Sequence, residues 1–162
     1  MPRTSLTVEQ VLTVLVETPR RIAALTVDAP AALLRASPDG EWSANDVLAR
    51  LRACADMWGG NIAAMVAEDK PTRRAVNPRT WIKSTDYPAL EFRASLRTFT
   101  YQRSNLLGVL TSLSPDDWAR AATLVGAGSV LEPTVLDYAQ RLARHERPHV
   151  KQIARVVQAM QR

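Results

Sequence analysis

The chain has 162 residues, 46% of them hydrophobic and 23% charged, which suits one helical or mixed core with an ordinary surface and leaves little room for a second domain. No apolar run approaches the roughly 18 residues of a membrane span, and the single cysteine, Cys54, rules out an intramolecular disulfide. The net charge of +5 admits an acidic ligand or nucleic acid, but the excess is scattered arginine, which argues against a nucleic-acid surface.

The N-terminal Met1–Ser5 runs into a short apolar segment broken by Glu9, Gln10 and Glu17, unlike the apolar centre of an export signal, so the cytoplasm is the expected location. Thr7 and Gln10 have capping-box spacing, and Val8, Val11, Leu12 and Leu15 follow in helical phase. Pro19 falls inside this first helix, which is expected to bend or restart there before ending near Val27. Residues 28–42 read as a connection with a turn at Asp39-Gly40.

Ser43 caps a second helix, with Asp46 at its third position, running through Val47, Leu51, Cys54, Trp58 and Ile62 to about Ala67. Gly59-Gly60 weaken its middle and suggest the close approach of another element. Residues 68–88, broken by Pro71, Pro78 and Pro88, read as a long mobile loop. A third helix is predicted over 89–113, then a capped turn at Ser114–Trp118, a glycine turn at 126–130, and a fourth helix from Pro133-Thr134 to about Met160. With no sustained strand alternation, the chain reads as an all-α antiparallel four-helix bundle spanning 1–162 as one domain.

The only two histidines, His145 and His149, stand four residues apart on the last helix, one turn from each other on one face. That spacing lets two imidazoles bind one metal ion. Tyr138, Leu142, Gln152, Ile153 and Val156 lie on the same stripe, so the pair is expected to point inward, while Arg144, Arg147, Lys151 and Arg155 form a solvated face. Pro148, between the histidines, removes one helical hydrogen bond and is expected to bend the helix.

Three segments resemble the DinB-like superfamily. Glu41-Trp42-Ser43-Ala-Asn-Asp46-Val47-Leu48-Ala49-Arg50-Leu51 is similar to the opening of its second helix. Phe99–Leu107 followed by Leu113–Trp118 is similar to its third helix and following turn, and His145-Glu-Arg-Pro-His149-Val-Lys-Gln152-Ile153 to its last-helix signature. The resemblance implies an up-down-down-up four-helix bundle, often a homodimer. It also implies zinc or nickel on three histidines, one from the second helix and two from the last, and in some members a thiol-dependent transferase or isomerase activity.

Arg50 stands where the resemblance places the first of those histidines. A guanidinium has no lone pair to give a metal, and its charge repels a cation. Cys54, one turn further on, is a candidate third ligand, although a lone cysteine also reads as a small buried hydrophobe. Asp56 and Asp137 are turned away by helix phase, and Trp58 packs in the bundle or lines a pocket. Arg50 either clamps an anion or reaches solvent at a helix edge. The favoured reading is a small-molecule or anion-binding bundle with an incomplete metal triad, using Arg50 and Trp58, with zinc or nickel weak or absent. The ligand would be an anion or a low-molecular-weight thiol. The alternative is a divalent-metal-dependent S-transferase or hydrolase on His145 and His149.

Overall fold

Three of the four long helices open on a reciprocal capping box, so their starts are written locally in the sequence. In the computed structural model, which describes residues 5–162, Thr7 caps α1 (Val8–Thr26), Ser43 caps α3 (Ala44–Ala67) and Thr134 caps α7 (Val135–Met160), with Gln10, Asp46 and Asp137 bonding back. The fourth, α5 (Phe92–Leu110), takes its cap from the Glu91 carboxylate. The reading of Met1–Thr4 against an export signal lies outside the described residues.

The connections depart from expectation. Residues 28–42 include a short helix, α2 (Ala31–Arg35). Residues 68–88 are no unstructured loop: they carry strand β1 (Thr72–Arg74), helix α4 (Pro78–Lys83) and a 3-10 turn over Tyr87–Ala89. That turn delays α5 to Phe92, and the helix ends at Leu110 rather than 113. After the short α6 (Pro115–Trp118), strand β2 (Thr123–Val125) pairs parallel with β1. Three residues per strand are too few to show alternation.

Asp56 holds the 68–91 segment to the bundle. Its carboxylate accepts from the Trp81 indole, the Tyr87 hydroxyl and the Gln102 amide. Arg52, buried, packs its guanidinium over the Tyr87 ring at 3.8 Å and donates to Ser95.

Cross-helix contacts fix the topology. On α3 and α5 the partners rise together, Asn45 with Leu90, Arg52 with Ser95 and Asp56 with Gln102, so these helices run parallel. On α1 and α7 they also rise together, Leu6 with Gln140 near the start, and Leu15 and Glu146 through a shared Arg103. Between α1 and α5 the order reverses, as Arg93 meets Thr26 and Arg103 meets Leu15. It reverses again between α3 and α7, as Trp42 meets His149 and Trp58 meets His145. The bundle is therefore up-down-down-up, with two parallel and two antiparallel neighbours. Parallel neighbours need a return along the bundle, which is why the α3–α5 connection is long.

α1 stays one helix through Pro19. Proline has no N–H to give the Leu15 carbonyl, which would be left bare in the core. Arg103 supplies the missing donor: its Nη1 reaches Leu15 O at 3.0 Å. The same guanidinium forms a bidentate pair with Glu146 of α7, and both residues are almost wholly buried. Around this polar knot pack Leu15, Ile22, Leu48, Leu51, Phe99, Leu142 and Ile153. The glycine pair of α3 serves no close approach, since a Cβ on Gly59 or Gly60 would meet nothing within 4 Å. No helix among the described residues is long and apolar enough to cross a membrane.

Candidate functional site

Two stripes face each other where α3 and α7 cross antiparallel. Arg50, Cys54 and Trp58 stand at four-residue steps on α3, and Arg141, His145 and His149 at the same steps on α7. The stripes meet side chain to side chain. Cys54 Sγ lies 3.7 Å from His145 Nε2, the Trp58 ring meets His145 edge-on at 5.1 Å, and Arg141 sits over the Trp58 ring at 4.9 Å. Trp42, just before the Ser43 cap, stacks parallel to His149 with centroids 6.4 Å apart.

The proton positions follow from one anchor. Gln152 Oε1 accepts from His149 Nδ1–H at 2.8 Å, so His149 Nε2 carries the lone pair. His145 Nε2 lies 3.1 Å away and donates to it. That leaves His145 Nδ1 unprotonated, and it is buried with no hydrogen-bond partner. Across the cleft the Arg50 Nε–H is also buried and unpartnered. An orphan acceptor and an orphan cationic donor thus share one site, each a cost that a bound molecule would remove.

The local field is positive. Burial, then His149, Arg50 and Arg141, push His145 down to about 3. Burial above all also lowers His149, partly offset by its bond to Gln152. Both rings are therefore neutral at physiological pH. Burial pushes the Cys54 thiol up to about 11, although Arg50 beside it favours the thiolate. A neutral buried thiol is a poor nucleophile and a weak ligand.

These shifts make stability fall in acid. Unfolded histidine binds a proton below its ordinary value of 6.5, while folded His145 resists protonation until near 3. Stability is therefore expected to drop as pH falls from about 6.5 toward 3, by up to about 1.4 kcal/mol per pH unit for one histidine. Urea unfolding at a series of pH values through this window checks it, and His145→Gln should flatten the slope.

The cleft between these stripes has a volume of about 750 Å³. Arg50, Trp58, Arg141, Arg144 and His145 line it, and Asp137 is the one carboxylate on its wall. Of the site residues expected from sequence, the fold thus brings His145, His149, Cys54, Arg50 and Trp58 together. His145 lines the cleft, and both histidines are half-buried rather than sealed in the core. Arg50 points into the site and not only to solvent. Arg144, Arg147, Lys151 and Arg155 are all exposed as expected, and Arg144 also edges the cleft. Asp137, expected to be turned away, lines the wall, while Asp56 is occupied with Trp81, Tyr87 and Gln102.

Sequence reasoning passed over Arg141 and Trp42. Arg141 was findable, one turn before His145 on its own stripe. Trp42 precedes its helix, where no periodicity signals which way a side chain faces.

A three-residue metal site does not fit these side chains. Among the described residues no three His, Cys, Asp or Glu side chains are grouped to hold an ion. Arg50 occupies the α3 side of the pair, where its charge bears on both histidines and on Cys54.

A family model described as the DinB superfamily matches residues 15–153. Among solved structures the chain is similar to YfiT from Bacillus subtilis, described as a probable metal-dependent hydrolase with an unusual four-helix bundle topology. The two share 18% identity over 99% of this chain and 93% of that one, with a TM-score of 0.80. At that identity the likeness is one of fold. No curated protein matches the sequence.

Proposed function

This chain belongs to the DinB superfamily, and from that premise we propose that it is a small-molecule-binding member whose α3–α7 cleft takes an anion in place of a divalent cation. The observation that carries this reading is the buried, unpartnered Nε–H of Arg50 beside neutral histidines. A carboxylate or phosphate supplies the acceptor that Arg50 lacks, in a charge-assisted hydrogen bond. A hydrogen phosphate, or a hydroxyl elsewhere on the ligand, can donate to His145 Nδ1 and satisfy the second orphan atom. Trp58 and Trp42 flank the site with flat apolar surface suited to the body of the ligand.

A cation is disfavoured by simple electrostatics. A guanidinium about 5 Å from a metal ion costs about 3 kcal/mol per unit of metal charge at the effective dielectric of such sites. Two imidazoles without a third protein ligand have little binding energy to set against that. One observation favours the second reading, a zinc- or nickel-dependent transferase or hydrolase: the Nε2 atoms of His145 and His149 are only 3.1 Å apart. That contact is equally the length of an N–H···N hydrogen bond.

Isothermal titration with inorganic phosphate and with biphenyl-4-carboxylate tests the proposal, the neutral biphenyl-4-carboxamide serving as control. At least one of the anions is expected to bind and the amide to bind far more weakly. Arg50→Gln should weaken the anion about tenfold or more, the worth of one charge-assisted contact. Binding that ignores the charge of the probe, or that Arg50→Gln leaves unchanged, overturns it.

A further inference from the structure

Five guanidiniums line two adjoining lobes with a common wall, and none of them is paired with a carboxylate. Arg50, Arg141 and Arg144 line the lobe described above. A second lobe of about 300 Å³ opens on the other side of Trp58 and is lined by Arg73, Arg74 and Arg141. The lobes share Trp58, Tyr138, Arg141, Leu124 and Leu131 as common walls. Among the described residues the ion pairs are Lys70–Glu132, Arg103–Glu146 and Arg120–Asp117, so none of the five takes part in one.

The carboxylates nearby are already engaged. Asp137 caps its own helix at Thr134, and Asp56 accepts three hydrogen bonds from Trp81, Tyr87 and Gln102. Exposed arginines can be left to water, but two atoms here cannot. Arg50 Nε is buried without an acceptor, and Tyr138, only 3% exposed, has a hydroxyl with no hydrogen bond on the wall common to both lobes. These are polar groups of a built site.

We propose that the ligand of this cleft is an elongated dianion: one acidic group held by Arg50, a flat apolar middle on Trp58, Leu124 and Leu131, and a second acidic group held by Arg73 in the far lobe. The assignment rests on the anion reading of Arg50. Arg73 is the second post because it is half-buried and pinned, its Nε donating to Asn61 Oδ1 at 2.9 Å while the rest of its fork stays available. Arg50 and Asn61 are eleven residues apart on α3, about 16 Å along the axis. The reach of an arginine side chain at each end brings that separation within the span of a rigid biaryl diacid. Tyr138 sets its hydroxyl beside Asn61, at the Arg73 end, where it can serve the second acid.

The test compares biphenyl-4,4′-dicarboxylate with biphenyl-4-carboxylate by isothermal titration against the full chain. The dicarboxylate is expected to bind about tenfold tighter or more, the worth of a second charge-assisted contact. Arg73→Gln should remove that advantage and leave the monocarboxylate unaffected, Arg73→Lys should retain part of it, and Arg50→Gln should weaken both compounds. Circular dichroism confirms that each variant is folded. Equal binding of the two compounds, with Arg73→Gln silent, overturns the dianion while an Arg50→Gln effect leaves the anion reading standing. An Arg50→Gln variant that binds both as the parent does overturns both readings, and a parent that binds neither compound overturns the dianion, the anion reading then standing or falling on inorganic phosphate.

Discussion

Replacing Arg50 with histidine is expected to turn the cleft into a metal centre. Position 50 lies one turn before Cys54, whose Sγ already touches His145, and the two α7 histidines present their Nε2 atoms 3.1 Å apart. Gln152 holds His149 in the tautomer that frees Nε2, the arrangement a metal-binding histidine requires. The single change removes a repelling charge and adds a third imidazole. Zinc should then bind at about one equivalent, with at least a hundredfold gain in affinity over the parent chain, since a third nitrogen ligand completes an open tetrahedral site. Titration against a competing chromophoric chelator measures it. An Arg50→His chain that binds zinc no better than its parent would show that position 50 does not control the site.

The second large effect lies in the core. Arg103→Leu is expected to destabilise the fold by about 3–5 kcal/mol, because it leaves the Glu146 carboxylate buried and uncompensated. The Leu15 carbonyl, deprived of its helical partner by Pro19, loses its donor as well. For a chain of this size the melting temperature should fall by about 10 °C. The double variant Arg103→Leu/Glu146→Leu should recover much of the loss, since it removes the stranded charge as well as its partner. If the single variant costs less than about 1 kcal/mol, the pair is not the buried knot described here. A further substitution, Pro19→Ala, would restore the N–H that Leu15 lacks and reduce the penalty of losing Arg103.

Local signals carried much of this fold in the sequence. The capping boxes at Thr7, Ser43 and Thr134 are short-range devices, each complete within four residues, and the apolar stripes behind them are dense. Residues 68–88 were opaque because what holds that segment, the Arg52 and Asp56 side chains and the strand Thr123–Val125, meets it only in the fold. Helix direction was legible only through the resemblance, for nothing in a helix's own residues says whether its neighbour runs parallel.

The site divides in the same way. His145 and His149 announced themselves by spacing, and Arg50 by standing where the family resemblance implies a histidine. What spacing cannot reveal is charge left over after pairing. The unpaired state of Arg73 and Arg141, and the bare hydroxyl of Tyr138, exist only once α3, α7 and β1 are brought together. Arginine scattered along the chain becomes two adjoining cationic lobes in the fold.

Metal analysis by inductively coupled plasma mass spectrometry, on untagged protein incubated with zinc and nickel and then desalted, tests the central claim most directly. With Arg50 in the site, the native chain is expected to retain far less than one equivalent of either metal. Retention of about one equivalent, lost in His149→Ala, would contradict the account and make this a metalloprotein despite its arginine.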